Sequence, residues 1–252
     1  MESSNRHFSI IEKLRSVEHV SVAELAVETG CSEMTVRRDL DQLADQGVLR
    51  RVRGGAVSLL LRGEAPPFGV RDHEAADIKE RIGDKINDLL ADGESVILDS
   101  GTTALRVARA IRHRRITAIP LDLHSVNVLS DAPDVRLLIP GGQMLSGTLS
   151  LAGHLTETSL RALRVDTAVV AVCGLSVEQG LTAYDLAEVP IKQATLAAAR
   201  RKIAVCDGSK FGRTGLGHVC PITDFDVVVT DASAPVDELE KMRAAGVAVI
   251  LV

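Results

Sequence analysis

Two stretches of this chain hold residues suited to phosphate chemistry. In "CSEMTVRRDLDQLADQGVLRRVRGGAV" (31–57), Arg37 and Arg38 lie in a short amphipathic segment, and Arg50, Arg51 and Arg53 crowd around Gly54-Gly55. Guanidinium groups are planar forks of donors that fit phosphate oxygens and guanine edges. Two such groups within reach of one surface suit a polyanion. In "VILDSGTTALRVARAI" (96–111), Ser100-Gly101-Thr102-Thr103 follow an apolar run and open an amphipathic one. Backbone N–H groups at a helix start are unpaired, glycine permits close approach, and hydroxyls add donors, so this turn suits one small anion such as phosphate. Both stretches have plainer readings. Ser and Thr at such a turn are ordinary helix caps, and Asp39, Asp41 and Asp45 could neutralise solvated arginines.

The elements that would position the arginines are short helices. "FSIIEKLRSV" puts Ile10, Ile11 and Leu14 on one face. "SVAELAVETG" opens at Ser21 with Glu24 three residues on and stops at Gly30, and "SEMTVRRDLDQLADQG" opens at Ser32 and stops at Gly47. A tight glycine-containing turn between two short helices reads as a helix-turn-helix. On a 3.6-residue period Val36, Leu40 and Leu43 face inward, while Arg38, with Met34 one turn before it, faces out and Thr35 and Arg37 flank it. A recognition helix reads bases with its N-terminal residues. The expected DNA-binding set is therefore Ser32, Met34, Thr35, Arg37 and Arg38. "VLRRVRGGAV" reads as a β-hairpin turning at Gly54-Gly55, whose Arg50, Arg51 and Arg53 form a wing on the backbone or minor groove. With no Trp, one Tyr and four Phe, the chain lacks base-stacking platforms, which favours duplex over single strands.

Residues 58–75, with Pro66-Pro67 and no clean periodicity, read as a linker between a head (1–57) and a body (76–252); the leucines at 59–61 are expected to pack on a neighbouring domain. In the body, uniformly apolar runs such as "SVILD", "TAVVAV", "KIAVCD" and "DVVVT" alternate with amphipathic helices. That pattern predicts an α/β fold with a mostly parallel sheet covered on both faces. Further candidate effector residues sit near strand ends: Gly141 and Gly142 in "PGGQML", Asp185, Glu188 and Lys192 in "GLTAYDLAEVPIKQA", and Lys210 in "CDGSKFGR". Ligands gather at such ends in open α/β sheets. Glu188 and Lys192 are also spaced for an i,i+4 helix ion pair.

Composition narrows the class. The 252 residues are 46% hydrophobic and 25% charged, as in ordinary globular proteins, and no apolar run is long enough to span a bilayer. The net charge is −5, yet residues 1–62 carry nine Lys or Arg and nine Asp or Glu, so the acidic excess lies wholly beyond them. A neutral-to-basic head on an acidic body suggests two partners. The opening "MESSNRHFSI" shows no signal-peptide pattern, and Cys31, Cys173, Cys206 and Cys220 are too scattered for a metal site. No metal, cofactor or membrane partner is expected, and the location expected is the cytoplasm.

The head strongly resembles the winged helix-turn-helix of the DeoR family of bacterial transcription regulators, through Ser32, Thr35, Arg37-Arg38-Asp39-Leu40, Gly47 and Gly54-Gly55-Ala56. The body resembles that family's effector domain in "FGVRDHEAADIKERI", "DGESVILDSGTT", "PGG", "SLAGHLTE", "GLTAYD", "AEVPIKQA", "SKFGR" and "FDVVVTDA", taken in order. The resemblance implies a fold like that of ribose-phosphate isomerases, with Ser100 to Thr103 and Lys210 on a phosphate and Asp99, Gly141-Gly142 and Asp185 near a sugar. It further implies a repressor of carbohydrate metabolism that binds operator duplex as a homodimer or higher homo-oligomer. One departure stands out: Pro120-Leu121-Asp122 replace a usual Thr-Asn-Ser-like stretch, removing a backbone donor, a hydroxyl and an amide. A rival reading is a sugar-phosphate isomerase with Asp99, Asp185 or Glu188 as general base. A rarer one is a winged helix that binds protein.

Overall fold

The computed structural model describes residues 3–17, 19–45, 47–58 and 66–252, and divides the chain into two compact units between Glu74 and Ala75. The first unit runs α1 (Ser3–Ser16), β1 (His19–Ser21), α2 (Val22–Thr29), α3 (Glu33–Asp45), β2 (Leu49–Val52), β3 (Gly55–Ser58) and α4 (Phe68–His73). Ser21 caps α2 in a reciprocal box: its hydroxyl takes the Glu24 N–H, and Glu24 takes the Ser21 N–H. Ile10, Ile11 and Leu14 of α1, Leu25 of α2, and Val36, Leu40 and Leu43 of α3 close one buried core over β2 and β3.

Three features of this unit differ from expectation. The hairpin turns at Arg53-Gly54, because Val52 pairs with Gly55, already the first residue of β3. Gly55 is required for packing: a Cβ there would sit 2.0 Å from the Val20 carbonyl of β1. That third strand, too short to show alternation, makes a sheet of order β1-β3-β2. Residues 58–75 are not wholly a linker either, since α4 lies among them and its Val70 joins the head's core. The leucines at 59–61 lie outside the described residues.

The second unit begins with α5 (Ala76–Leu89), β4 (Ser95–Leu98), α6 (Thr102–Ile111), β5 (Thr117–Pro120), α7 (Leu123–Leu129) and β6 (Arg136–Leu137). It continues through β7 (Gln143–Met144), β8 (Leu151–Ala152), α8 (His154–Arg161), β9 (Val165–Ala171), β10 (Gly174–Ser176), β11 (Gly180–Ala183), α9 (Val189–Ala198) and β12 (Ala199–Val205). Last come β13 (Gly217–Cys220), β14 (Val227–Thr230), α10 (Val236–Ala244) and β15 (Ala248–Leu251). Seven strands, all parallel, form the main sheet in the order β15-β14-β12-β9-β4-β5-β6. On one face Ile82, Ile86, Val107 and Ile111 of α5 and α6 cover Val96, Leu98, Val169 and Val229; on the other, Leu160, Ile191 and Ala194 of α8 and α9 cover Ile97 and Ile119. Burial on both faces is why the central strands are continuously apolar at Val96–Leu98, Ala168–Ala171 and Ile203–Val205. The small antiparallel sheets β10-β11-β13 and β7-β8 were not foreseen.

Winding runs outward from β4 through β5 to β6, then resumes on the other side of β4 at β9. The crevice at the C-terminal ends of β4 and β9 is thus the sheet's topological switch point, where open α/β folds place ligands.

Candidate functional site

On the head, Ser32 opens α3: its hydroxyl takes the Thr35 N–H (3.2 Å) and lies 2.9 Å from the Thr35 hydroxyl. Met34 is 73% exposed, and Arg37, Arg38, Arg50 and Arg53 are exposed as well. A groove of about 780 Å³ on this face is lined by Arg6, Met34, Thr35, Arg37, Arg38, Asp39, Asp41 and Gln42. Two arginines are already tethered, Arg37 to Glu33 (2.7 Å) and Arg51 to Asp41 (2.9 Å) and to the Gly55 carbonyl (3.2 Å). The Arg51–Asp41 pair ties the β2-β3 hairpin to α3. Among the described residues, no ion pair or hydrogen bond engages the side chains of Arg38, Arg50 or Arg53.

Asp39 is no surface counter-charge. It is 2% exposed, and α1 grips it with Arg6 Nε (2.8 Å), Arg6 Nη2 (3.0 Å) and His7 Nε2 (3.2 Å). The hydrogen bond to Asp39 raises the Arg6 pKa further above its ordinary value. This clasp joins α1 to α3 beside its exposed face, and Arg6 in the opening helix gave no sequence signal of it.

On the body, Asp99 directly follows β4 and Ala171 ends β9. The Asp99 carboxylate accepts the N–H groups of Ser100 (2.8 Å) and Ala171 (3.0 Å) and the Nζ of Lys192, which also donates to the Ala171 carbonyl (2.9 Å). Burial, the largest influence, would lower the Lys192 pKa; the charges of Asp99, Cys173 and Glu188 and the hydrogen bond to Asp99 together outweigh it, and the pKa is raised. Lys192 is thus locked as a cation at the switch point, paired with Asp99 where the sequence suggested Glu188.

The loop Ser100-Gly101 leads into α6, whose first intrahelical bond is Leu105 N–H to the Gly101 carbonyl (2.9 Å). Thr102 and Thr103 are buried at its start. Two strands away, Lys210 lies in the turn Gly208–Lys210 after β12, 3.7 Å from Asp207 Oδ2, an oxygen with no hydrogen-bond partner. Burial pushes Asp207 up, but Lys210, Ser209 and Lys79 prevail and hold its carboxyl below the usual range.

Gly141-Gly142 starts the hairpin β7-β8, and residues 149–151 run antiparallel beside 121–123 through Leu123 N–H to the Leu149 carbonyl (3.0 Å) and Leu151 N–H to the Leu121 carbonyl (2.8 Å). The close approach at Gly142 is to protein: its φ is +152°, and a Cβ would meet Thr156 Oγ1 at 1.8 Å. Asp185 is exposed and caps its own turn by accepting the Ala187 N–H (2.9 Å).

Two family models match: the DeoR-like helix-turn-helix domain over residues 6–60 and the DeoR C terminal sensor domain over residues 74–232. The Glycerol-3-phosphate regulon repressor of Escherichia coli K12 is 31% identical across 95% of this chain and 95% of its own length. The chain belongs to the DeoR family of transcription regulators. Its relatives also include the Transcriptional repressor AccR of Agrobacterium fabrum (31% identical, 91% of this chain and 90% of the relative) and the HTH-type transcriptional repressor GlcR of Bacillus subtilis (27%, 92% and 89%). A solved ribose 5-phosphate isomerase A from Methanocaldococcus jannaschii aligns over 55% of each chain, with a TM-score of 0.41 and 15% identity.

In this DeoR-family chain the switch point gathers Asp99, Ser100, Gly101, Thr102, Thr103 and Lys192. Lys210 stands on the same sheet edge, the closest approach of Gly141-Gly142 is to α8, and Asp185 is outside on the turn before α9. The residues missed are Asp122, which takes the Gly101 N–H (3.2 Å), Asp207, and the Arg6–Asp39 clasp. Asp122 stood out in the sequence only as a departure from the family pattern. No helix among the described residues is long and apolar enough to cross a membrane.

Proposed function

We propose that this chain represses a carbohydrate-metabolism operon, and that a phosphorylated sugar or related metabolite sets its affinity for operator DNA. Thr35 and Arg38 reach base edges, Arg37 anchors a phosphate, and Arg50, Arg51 and Arg53 lie along the adjacent backbone. A homodimer sets two recognition helices one helical turn apart on a palindromic site. The effector sits at the start of α6, facing Lys210. The observation that carries this reading is the combination, in one chain, of an outward arginine face on a winged helix and a polar switch point in a sensor-type sheet. The relatives' names, a glycerol-3-phosphate regulon repressor among them, support repression of a metabolic operon over isomerase chemistry.

The ligand acts by binding the DNA-competent and incompetent arrangements unequally. Two measurements test the reading. Thermal unfolding against a panel of sugar phosphates should show one that raises the melting temperature, because a ligand of the native state stabilises it. Operator binding to fragments of the source genome should weaken steeply with salt and change on adding that compound. Turnover of a sugar phosphate, or salt-independent binding, counts against the proposal.

A further inference from the structure

The groove on the outer face of α3 is lined by polar side chains, and most of them are already taken. Asp39 is held by Arg6, Arg37 by Glu33 and Asp41 by Arg51, and the Thr35 hydroxyl lies against that of Ser32. Two polar side chains of the groove remain, Arg38 and Gln42. Both are exposed, and among the described residues no hydrogen bond or ion pair engages either.

Gln42 sits one helical turn beyond Arg38 on α3. Thr35, Arg38 and Gln42 keep the i, i+3, i+7 spacing that sets residues along one stripe of a helix. Asp45, exposed on the next turn, would meet phosphate with like charge, so the base-reading stripe ends at Gln42. The two open groups differ in chemistry. A guanidinium only donates, and it matches the O6 and N7 acceptors of guanine. A carboxamide donates and accepts side by side, and it matches the N6 donor and N7 acceptor of adenine. Four residues advance an α-helix by about 6 Å, close to two base-pair steps of about 3.4 Å each. A helix lying in the major groove therefore sets these side chains over neighbouring or next-but-one base pairs.

Resting on the operator reading above, we propose that Gln42 is a further specificity-determining residue of α3. It reads an A·T pair within two base pairs of the G·C pair read by Arg38. The half-site this helix selects thus carries a guanine and an adenine at that spacing, and Gln42 sets the second of them.

The test is selection of duplexes from a randomised library by the full chain, with and without a mixture of sugar phosphates, repeated with Gln42→Ala and with Arg38→Ala. Both sites are exposed and alanine favours helix, so neither substitution threatens the fold. The unaltered chain should enrich half-sites with an A·T and a G·C pair within two positions of each other. Gln42→Ala should lose preference at the A·T pair alone, by roughly tenfold against the other pairs, and keep the G·C preference. Arg38→Ala should do the reverse. An unchanged half-site from Gln42→Ala overturns the role of Gln42, and a G·C position flattened by Arg38→Ala in the same experiment leaves the operator reading standing. Loss at a pair other than A·T overturns the adenine assignment. If the unaltered chain enriches no sequence under either condition, the operator reading and this proposal fall together.

Discussion

Lys192 donates to Asp99 and to the Ala171 carbonyl, and Asp99 in turn takes the Ala171 N–H, so α9, β4 and β9 are tied together at the switch point. Both side chains are almost wholly buried, at 2% and 3% exposure. Removing one member of such a pair strands the other charge. Lys192→Met is expected to lower stability by about 3–5 kcal/mol in urea unfolding. Combining it with Asp99→Asn removes the stranded charge and should recover part of that loss. A single variant as stable as the parent would show that the pair does not organise the crevice.

Arg38 projects from α3 with no ion-pair partner among the described residues. Arg38→Ala should weaken operator binding by about 1–3 kcal/mol and relax base preference at one position. Arg53→Ala on the wing should instead lower affinity evenly across sequences and flatten its salt dependence. Affinity measured over a salt series against base-substituted operators separates the two roles.

The Arg6–Asp39 clasp joins α1 to the recognition helix. Arg6→Ala leaves a buried carboxylate short of donors, which costs about 1–3 kcal/mol of stability. Operator affinity should fall as well, although Arg6 itself is not assigned to a base. Arg6→Lys keeps the charge but not the two-pronged geometry and should restore stability only in part. If operator affinity is untouched by both variants, the angle of α3 is set elsewhere.

Lys210 carries two expectations. Lys210→Ala should abolish the response to the sugar phosphate found by thermal screening while operator binding without it persists. It should also make the chain more acid-sensitive. Lys210 helps hold the Asp207 carboxyl low, so the stability that Asp207 contributes is complete above the ordinary aspartate pKa of about 3.9 and fades as pH falls through the lower native value. Without the lysine that native value rises, and acid unfolding should begin at a higher pH. A circular-dichroism acid titration of both proteins reads the difference.

Gly142 packs against Thr156, whose hydroxyl donates to the carbonyls of Gly141 (2.8 Å) and Ala152 (2.9 Å). Gly142→Ala should destabilise the β7-β8 hairpin against α8 by displacing that hydroxyl, read as faster amide exchange at residues 143–152. Normal exchange would mean that the hairpin yields readily.

Much of this protein is legible in its sequence, because local rules govern much of it. Ser21 with Glu24, Ser32, and the glycines at 30 and 47 mark helix ends through bonds only a few residues long. The inward period of Val36, Leu40 and Leu43 leaves one side of α3 for its arginines, and unbroken apolar runs within the central strands declare a sheet covered twice. Tertiary structure alone decided who partners whom. Glu188 lies one helical turn from Lys192, yet Asp99, 93 residues away, is the nearer charge once β4 and β9 are neighbours. Asp39 looked like a surface acid until α1 folded across it, and Asp122 reached Gly101 only because β5 lies beside β4. Burial and pairing across distant segments set the state of a charge, and periodicity along one segment does not encode them.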